Sequence, residues 1–421
     1  MVSRQLTSWL ESVAGRPQAV HLVGLRQTGK TTLMEEFSRR FENKLCYRLQ
    51  DLVTLRRYEK EPERWVLEIE GALENARSEK KPPLHVFVDE IQKIPVLMQG
   101  IQGLYDANKG RIKFWVWGSS ARPLKKQRAE TLAGRVLMKT LWPLSQAEIL
   151  GTASAVPRLL SPNDLKKAAS APEPRAYSES LKKWLSHGLL PEPCLLADYP
   201  EAADLLLSFQ ATYLENEIRR ENLVRDIGVF EDFLTLAAGD TAAIVDYSKI
   251  ASVLGVSSKS VQSYYEILAD TYVCTLLPAY SGSLRVQISK SPKAYFSDAG
   301  LARFVSGERG GIARLHPSFG KAFENFVIAE IAKQTEYHGL GWKLSYLRTK
   351  AGQEADLVVS TPDVAAAIEI KASSRVGGAD LAGLKVLMGL EPKLKFGLVI
   401  STMSGFVEIE KGIFNVPVWV L

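Results

Sequence analysis

Gly24-Leu25-Arg26-Gln27-Thr28-Gly29-Lys30-Thr31 has the spacing G-x-x-x-x-G-K-T. Glycines so spaced let backbone N–H groups close around phosphate oxygens, while a lysine and a hydroxyl complete the cradle. Lys30 is expected to reach the β- and γ-phosphates of ATP, and the Thr31 hydroxyl to ligate Mg2+. Gly24, Gln27, Thr28, Gly29 and Thr32 complete the expected nucleotide-binding set. Further on, His85-Val86-Phe87-Val88 is followed by Asp89-Glu90, an apolar run ending in two carboxylates. There Asp89 would hold the Mg2+ shell and Glu90 would polarise the attacking water. A third run, Lys113–Trp117, leads into Gly118-Ser119-Ser120, whose hydroxyls could reach the γ-phosphate or the water. Arg135 precedes a fourth run; an arginine there can neutralise charge at a neighbouring subunit's nucleotide, or simply be a solvated strand start.

The C-terminal quarter carries a second constellation. Asp356 lies in Ala355-Asp356-Leu357-Val358-Val359, and Glu369 and Lys371 lie in Ala367-Ile368-Glu369-Ile370-Lys371. The period of a strand puts Glu369 and Lys371 on one face. Glu324 sits on the amphipathic helix expected before them. Three carboxylates are hard oxygen ligands suited to Mg2+ or Mn2+. Lys371 could then orient or deprotonate a water, and the metal could stabilise a pentavalent phosphate. Glu354 is a further candidate that could equally face solvent. Ordinary ion pairing between strand residues is the competing account of all of these groups.

Short apolar runs between helical stretches indicate buried parallel strands with crossover helices before residue 150. The Ala-, Ser- and Pro-rich stretch Gly151 to Pro174 reads as a connector or loose lid, and about Ser178 to Ala238 reads as helical. Ser248–Leu254, Gly255 and a helix capped by Ser257 or Ser258 and running to about Leu268 fit two helices joined by a tight turn. Thr271–Pro278 reads as a following wing strand. Lys259, Gln262, Ser263 and Glu266 would face outwards, placing Lys259 and Gln262 in a DNA major groove, unless this fold serves only packing. Arg285, Lys290 and Lys293 could track phosphate or be a solvated face. Ser306 to Pro317 reads as a linker before a final domain.

The chain has 421 residues, 46% hydrophobic and 24% charged, which is ordinary globular composition and long enough for several domains. No run approaches the ~18 apolar residues of a membrane span, so no membrane partner is expected. Arg4, Glu11 and Arg16 break any apolar leader. Three scattered cysteines form neither a metal site nor a disulfide framework, which makes a reducing cytoplasm the simplest compartment. The net charge of +6 is compatible with nucleic acid without requiring it.

The phosphate loop with Arg26-Gln27 inside it, Asp89-Glu90-Ile91-Gln92-Lys93, Gly118-Ser119-Ser120, Leu132-Ala133-Gly134-Arg135 and Trp142-Pro143-Leu144 together resemble one group. It is that of bacterial and archaeal AAA-type ATPases carrying a C-terminal domain of unknown function. The resemblance spans nearly the whole chain. It implies Ser119 or Ser120 at the sensor position and Arg135 as the arginine finger. Separately, Asp356, Glu369 and Lys371 resemble the D…ExK motif of the PD-(D/E)xK nucleases, with Glu324 as the helix glutamate, although no proline precedes Asp356.

The expectation is a multidomain α/β protein: an AAA-like P-loop ATPase core (1–150), a helical lid (151–240), a winged helix (241–304) and a PD-(D/E)xK nuclease-like α/β domain (305–421). The expected activity is ATP hydrolysis coupled to nucleic-acid processing by the metal-dependent nuclease-like C-terminal domain, whose metal site would cut phosphodiesters, with DNA as the expected partner and a homo-oligomer if Arg135 acts in trans. The alternative is a nucleotide-switched regulator or scaffold whose C-terminal domain binds partners without cleavage.

Overall fold

The uninterrupted apolar runs of the N-terminal third become strands covered on both faces. A computed structural model describes residues 2–119, 134–170, 172–219, 223–280 and 291–421 of the chain. Ser120, Leu132, Ala133, Arg285 and Lys290 fall outside the described residues. The chain divides into two compact units, Ser3–Trp142 with Asp270–Tyr272, and Pro143–Ala269 with Val273–Leu421.

In the first unit, β1 (Ala19–Val23), β2 (Lys44–Arg48), β3 (Leu84–Asp89), β4 (Ile112–Trp117) and β5 (Val136–Thr140) form one sheet ordered β2-β3-β4-β1-β5. All four pairings are parallel. Parallel neighbours require crossover connections, here mostly helical, and put every strand's C-terminal end on one edge. Strands β1, β3 and β4 are buried along their whole length. Trp65, Ile69 and Leu73 of the helix Pro62–Ser78 pack with Val86, Val88 and Phe114 in one core. Burying each such side chain contributes roughly 1.5–3 kcal/mol. Strand β2 is absent from the sequence reading. It is an edge strand with only Tyr47 buried, so it lacks the apolar run that marks the others.

The second unit begins with helices. The stretch read as a loose lid is instead packed: Ala155, Val156, Leu159 and Leu165 lie in the main core cluster. The helices Tyr177–His187, Tyr199–Tyr213 and Ile227–Gly239 follow. The helix Tyr247–Leu254 ends at Gly255, whose φ of 66° supplies the left-handed turn, and the helix Ser258–Asp270 comes next. The antiparallel pair β6 (Cys274–Leu277) and β7 (Lys293–Phe296) comes after them. Ser306 to Pro317 holds no helix or strand.

The C-terminal sheet contains β8 (Lys343–Arg348), β9 (Glu354–Ser360), β10 (Ala365–Lys371), β11 (Leu394–Ser401), β12 (Val407–Glu410) and β13 (Ile413–Pro417), ordered β12-β13-β11-β10-β9-β8. Strands β8, β9 and β10 pair antiparallel, whereas β10, β11 and β13 run parallel. Phe323, Phe326 and Ile331 of the helix Phe319–Tyr337 pack with Ala366, Ile368 and Ile370. Leu381, Leu384 and Leu387 of the helix Gly378–Leu390 pack instead with Ala365 and Ala367. Alternate residues of β10 thus serve cores on opposite faces. The fold is therefore α/β: a parallel-sheet P-loop ATPase-like unit and a further sheet at the C-terminus.

Candidate functional site

Strand β1 ends at the phosphate loop, and Gly29 caps the helix Lys30–Ser38 with a φ of 87°. Gly24 has a φ of 145°, and a Cβ there would lie 2.2 Å from the Leu141 carbonyl oxygen. Only glycine lets the loop pass this close to the chain leaving β5. Lys30 Nζ donates to the carbonyls of Gly24 at 2.8 Å and Leu25 at 2.7 Å. Gln27 and Thr32 are exposed, whereas the buried Thr28 hydroxyl donates to the Leu25 carbonyl at 2.9 Å. Thr28 therefore braces the loop with its side chain and leaves its backbone to the nucleotide.

The parallel register brings Asp89 beside this loop. Thr31 Oγ1 donates to Asp89 Oδ2 at 3.2 Å and accepts from Trp117 Nε1 at 3.2 Å. Asp89 Oδ1 is buried without a hydrogen-bond partner. Burial first, and then the neighbouring Glu90 charge, pushes the Asp89 carboxyl up to about 6. A carboxylate oxygen left open beside a hydroxyl fits an Mg2+ bound to nucleotide phosphates, since such an ion takes few protein ligands. Glu90 follows in the left-handed region, φ 54°. Its carboxylate accepts from Gln92 Nε2, which also lies 3.4 Å from Ser119 Oγ. A Cβ on Gly118 would meet the Gln92 amide oxygen at 1.9 Å, so glycine there makes room for that bridge.

Two groups without an assigned role in the sequence reading support this site. Gln92 holds Glu90, and the buried Arg4 donates from Nη1 to the Thr28 carbonyl at 2.7 Å and from Nη2 to the Trp142 carbonyl at 2.6 Å. Arg135 lies elsewhere. Its carbonyl accepts from Ala19 N–H at the start of β1, the sheet edge opposite the loop. Five strand residues separate those edges, roughly 16 Å. Arg135 Nε pairs with Asp106 at 3.0 Å instead of facing its own phosphate loop.

In the second unit, Glu324, Glu354, Asp356, Glu369 and Lys371 converge where β9 and β10 part. Their pairing ends at Leu357 and Ile368, and Asp356 Oδ2 accepts the Ile370 N–H at 2.9 Å. Lys371 Nζ lies 2.8 Å from Glu369 Oε1 on the shared strand face. Burial first, then the Asp356 charge, pushes the Glu324 and Glu369 carboxyls each up to about 7. A cleft of about 500 Å³ lies alongside, lined in part by Gln353, Glu354, Glu369, Lys371 and Asp380.

Lys293 departs from its expected role. It is buried, with Nζ 2.6 Å from Glu354, 3.4 Å from Glu324 and 3.6 Å from Asp356, so it cannot track phosphate from the surface. Its ammonium takes the oxygens that a divalent ion at Glu324 and Asp356 would need. Among the described residues no group of three or more His, Cys, Asp or Glu has the arrangement to hold a metal ion. Mg2+ or Mn2+ therefore does not fit this cluster as it stands. Lys259, Gln262 and Glu266 are exposed on the helix Ser258–Asp270, and Ser263 is half-buried.

Residues 16–150 match the family model of an AAA domain. This segment is thus similar to AAA-type P-loop ATPase domains. Residues 178–310 and 319–421 match two domains of unknown function, DUF8612 and DUF4143. The chain is 25% identical over 291 residues to the uncharacterized protein Rv2008c of Mycobacterium tuberculosis, covering 69% of this chain and 59% of that one. It is 24% identical over 255 residues to the uncharacterized protein MJ1544 of Methanocaldococcus jannaschii, covering 59% and 53%. The match thus spans less than two thirds of either relative. Among solved structures it is similar to the Walker-type ATPase PABY2304 of Pyrococcus abyssi, at 15% identity and a TM-score of 0.46, covering 72% of this chain and 96% of that one. Among the described residues no helix is long and apolar enough to cross a membrane.

Proposed function

We propose that the chain binds and hydrolyses ATP in its first unit, and that nucleotide state switches engagement of a nucleic-acid partner by the second unit, without cleavage. The observation that carries the ATPase half is Thr31 Oγ1 at 3.2 Å from Asp89, with Glu90 next in sequence. Thr31 and Asp89 would hold the Mg2+ of Mg-ATP, which supplies charge neutralisation at the phosphates. Lys30 exchanges two loop carbonyls for phosphate oxygens when nucleotide enters. Glu90, held by Gln92, orients a water toward the γ-phosphate, and Ser119 stands beside that bridge. Arg135 acts, on this reading, across a subunit boundary.

The non-cutting half rests on Lys293 inside the carboxylate cluster. The exposed Lys259 and Gln262 face supports duplex DNA as the partner through a winged-helix arrangement. The competing reading, a PD-(D/E)xK nuclease, draws on Asp356, Glu369 and Lys371 meeting beside an open cleft.

Lys30→Ala should abolish tight ATP binding, because the phosphates lose their main charged partner. Glu90→Gln should retain binding and lower kcat about 10²-fold or more, as a neutral amide cannot polarise water equally. Titration with a fluorescent ATP analogue and phosphate-release rates check both. Unaltered turnover in Glu90→Gln would remove Glu90 from the chemistry.

A further inference from the structure

Lys293 sits in β7, outside the helix and strands that supply the carboxylates around it. Its side chain is 4% exposed, and its Nζ contacts three carboxylates at 2.6, 3.4 and 3.6 Å. Mg2+ would need the same oxygens at ~2.1 Å in octahedral array. Further donors already hold these acidic groups, one of them on the same Glu324 oxygen that Lys293 contacts. Tyr295 OH donates to Glu324 Oε1 at 2.7 Å, Ile370 N–H to Asp356 Oδ2 at 2.9 Å, and Lys371 to Glu369 Oε1 at 2.8 Å.

The backbone that delivers Lys293 is held on both sides. Strand β7 pairs with β6, and Ile244 bridges Lys293 from the other side. Val245 N–H donates to the Pro292 carbonyl at 2.8 Å, and the Tyr346 hydroxyl donates to the Ser291 carbonyl. The Tyr346 ring centroid lies 5.8 Å from the ammonium. Withdrawing Lys293 would require unpacking this hairpin and would leave buried carboxylates uncompensated, which is strongly unfavourable.

We propose that Lys293 is the resident cation of the Glu324–Glu354–Asp356 cluster, supplied by the chain in place of a divalent metal, and that removing its charge turns the cluster into a divalent-cation site. The proposal rests on the non-cutting reading of the second unit. Loss of the ammonium leaves facing carboxylates whose mutual repulsion a dication relieves best.

The probe is Mn2+, followed by electron paramagnetic resonance in the full chain without nucleotide. Every sample carries Asp89→Asn, which removes the carboxylate beside the phosphate loop. With Lys293 in place, no Mn2+ binding that depends on Asp356 is expected. Lys293→Gln should bind Mn2+ at least about tenfold more tightly than that parent, and adding Asp356→Asn should abolish the gain. Asp356-dependent binding in the Lys293 parent would overturn the proposal, as would a folded Lys293→Gln that gains none. Circular dichroism reports the fold. If Lys293→Gln does not fold, adding Glu354→Gln removes one uncompensated charge and should restore folding. That double variant should still gain Asp356-dependent Mn2+ binding; a folded form without it counts against the proposal. Cleavage of DNA in Mg2+ by the wild-type chain, lost in Asp356→Asn, would defeat the non-cutting reading. Asp356-dependent Mn2+ binding without cleavage would defeat the lysine assignment alone.

Discussion

Arg4 shows how much of a phosphate site lies outside its motif. The buried guanidinium ties the Thr28 carbonyl inside the loop to the Trp142 carbonyl at the end of the first unit's main segment. Buried hydrogen bonds from a charged donor are each worth about 1.5–3 kcal/mol. With two guanidinium nitrogens on backbone carbonyls, Arg4 would act as a positioning residue that pre-shapes the loop. Arg4→Met should therefore raise the KM for ATP roughly tenfold with a smaller change in kcat, and Arg4→Lys should recover part of it. Steady-state kinetics on the two variants, with melting temperatures as a fold control, check this. A KM unchanged in a folded Arg4→Met would leave Arg4 a purely structural strut. In the sequence, Arg4 served only to interrupt an apolar leader, because its two partners lie 24 and 138 residues away.

Strand β3 leads into the acidic pair and carries an unusual buried histidine. His85 Nδ1 accepts from Trp115 Nε1 at 3.0 Å, and the Phe41 ring stacks on the imidazole at 3.8 Å. Burial first, and then the Lys113 charge, pushes His85 down to about 4. A base whose folded value is depressed stays neutral in the fold while the unfolded chain takes up a proton. Its contribution is present above an ordinary histidine value near ~6.5 and is lost as pH falls from there toward 4. Nuclear magnetic resonance should find His85 titrating near 4. Between those pH values, the first unit of wild type should lose urea resistance more steeply than that of His85→Gln. Parallel pH profiles would contradict this.

The elements were legible where their physics is local. Ala19–Val23 and Leu84–Asp89 are buried on both faces and so read as apolar runs, and Gly24 and Gly29 punctuate the loop. Strand β2 is not legible because an edge strand needs only Tyr47 inside. The Ala- and Pro-rich stretch looked loose because composition does not reveal that Val156 and Leu159 meet residues far along the chain. Glu369 and Lys371 are legible by strand spacing, and Asp356 and Glu324 by their places on the neighbouring strand and helix. Lys293 is not, since its partners lie 31, 61 and 63 residues further on and its neighbours resemble a solvated basic run.

At the scale of the molecule, the first unit is AAA-like, and Arg135 lies at the sheet edge opposite its phosphate loop. Arg135 pairs with Asp106 in a setting open enough to exchange that partner for another subunit's phosphate, and exposed pairs of this kind are worth little. If it acts in trans, specific ATPase activity should rise with protein concentration, and Arg135→Ala should lower turnover about 10³-fold without weakening ATP binding. Constant specific activity from a monomer in analytical ultracentrifugation would exclude that role.

On the proposed reading, the nucleotide state of the first unit switches nucleic-acid engagement by the second, without cleavage. The most direct measurement incubates the full chain with single- and double-stranded DNA and with RNA, in Mg2+ or Mn2+, with and without ATP, beside Asp356→Ala and Lys371→Ala. ATP turnover with every nucleic acid left intact is the expected result. Cleavage by the wild-type chain that disappears in Asp356→Ala and slows in Lys371→Ala would contradict it and make the C-terminal sheet a metal-dependent nuclease.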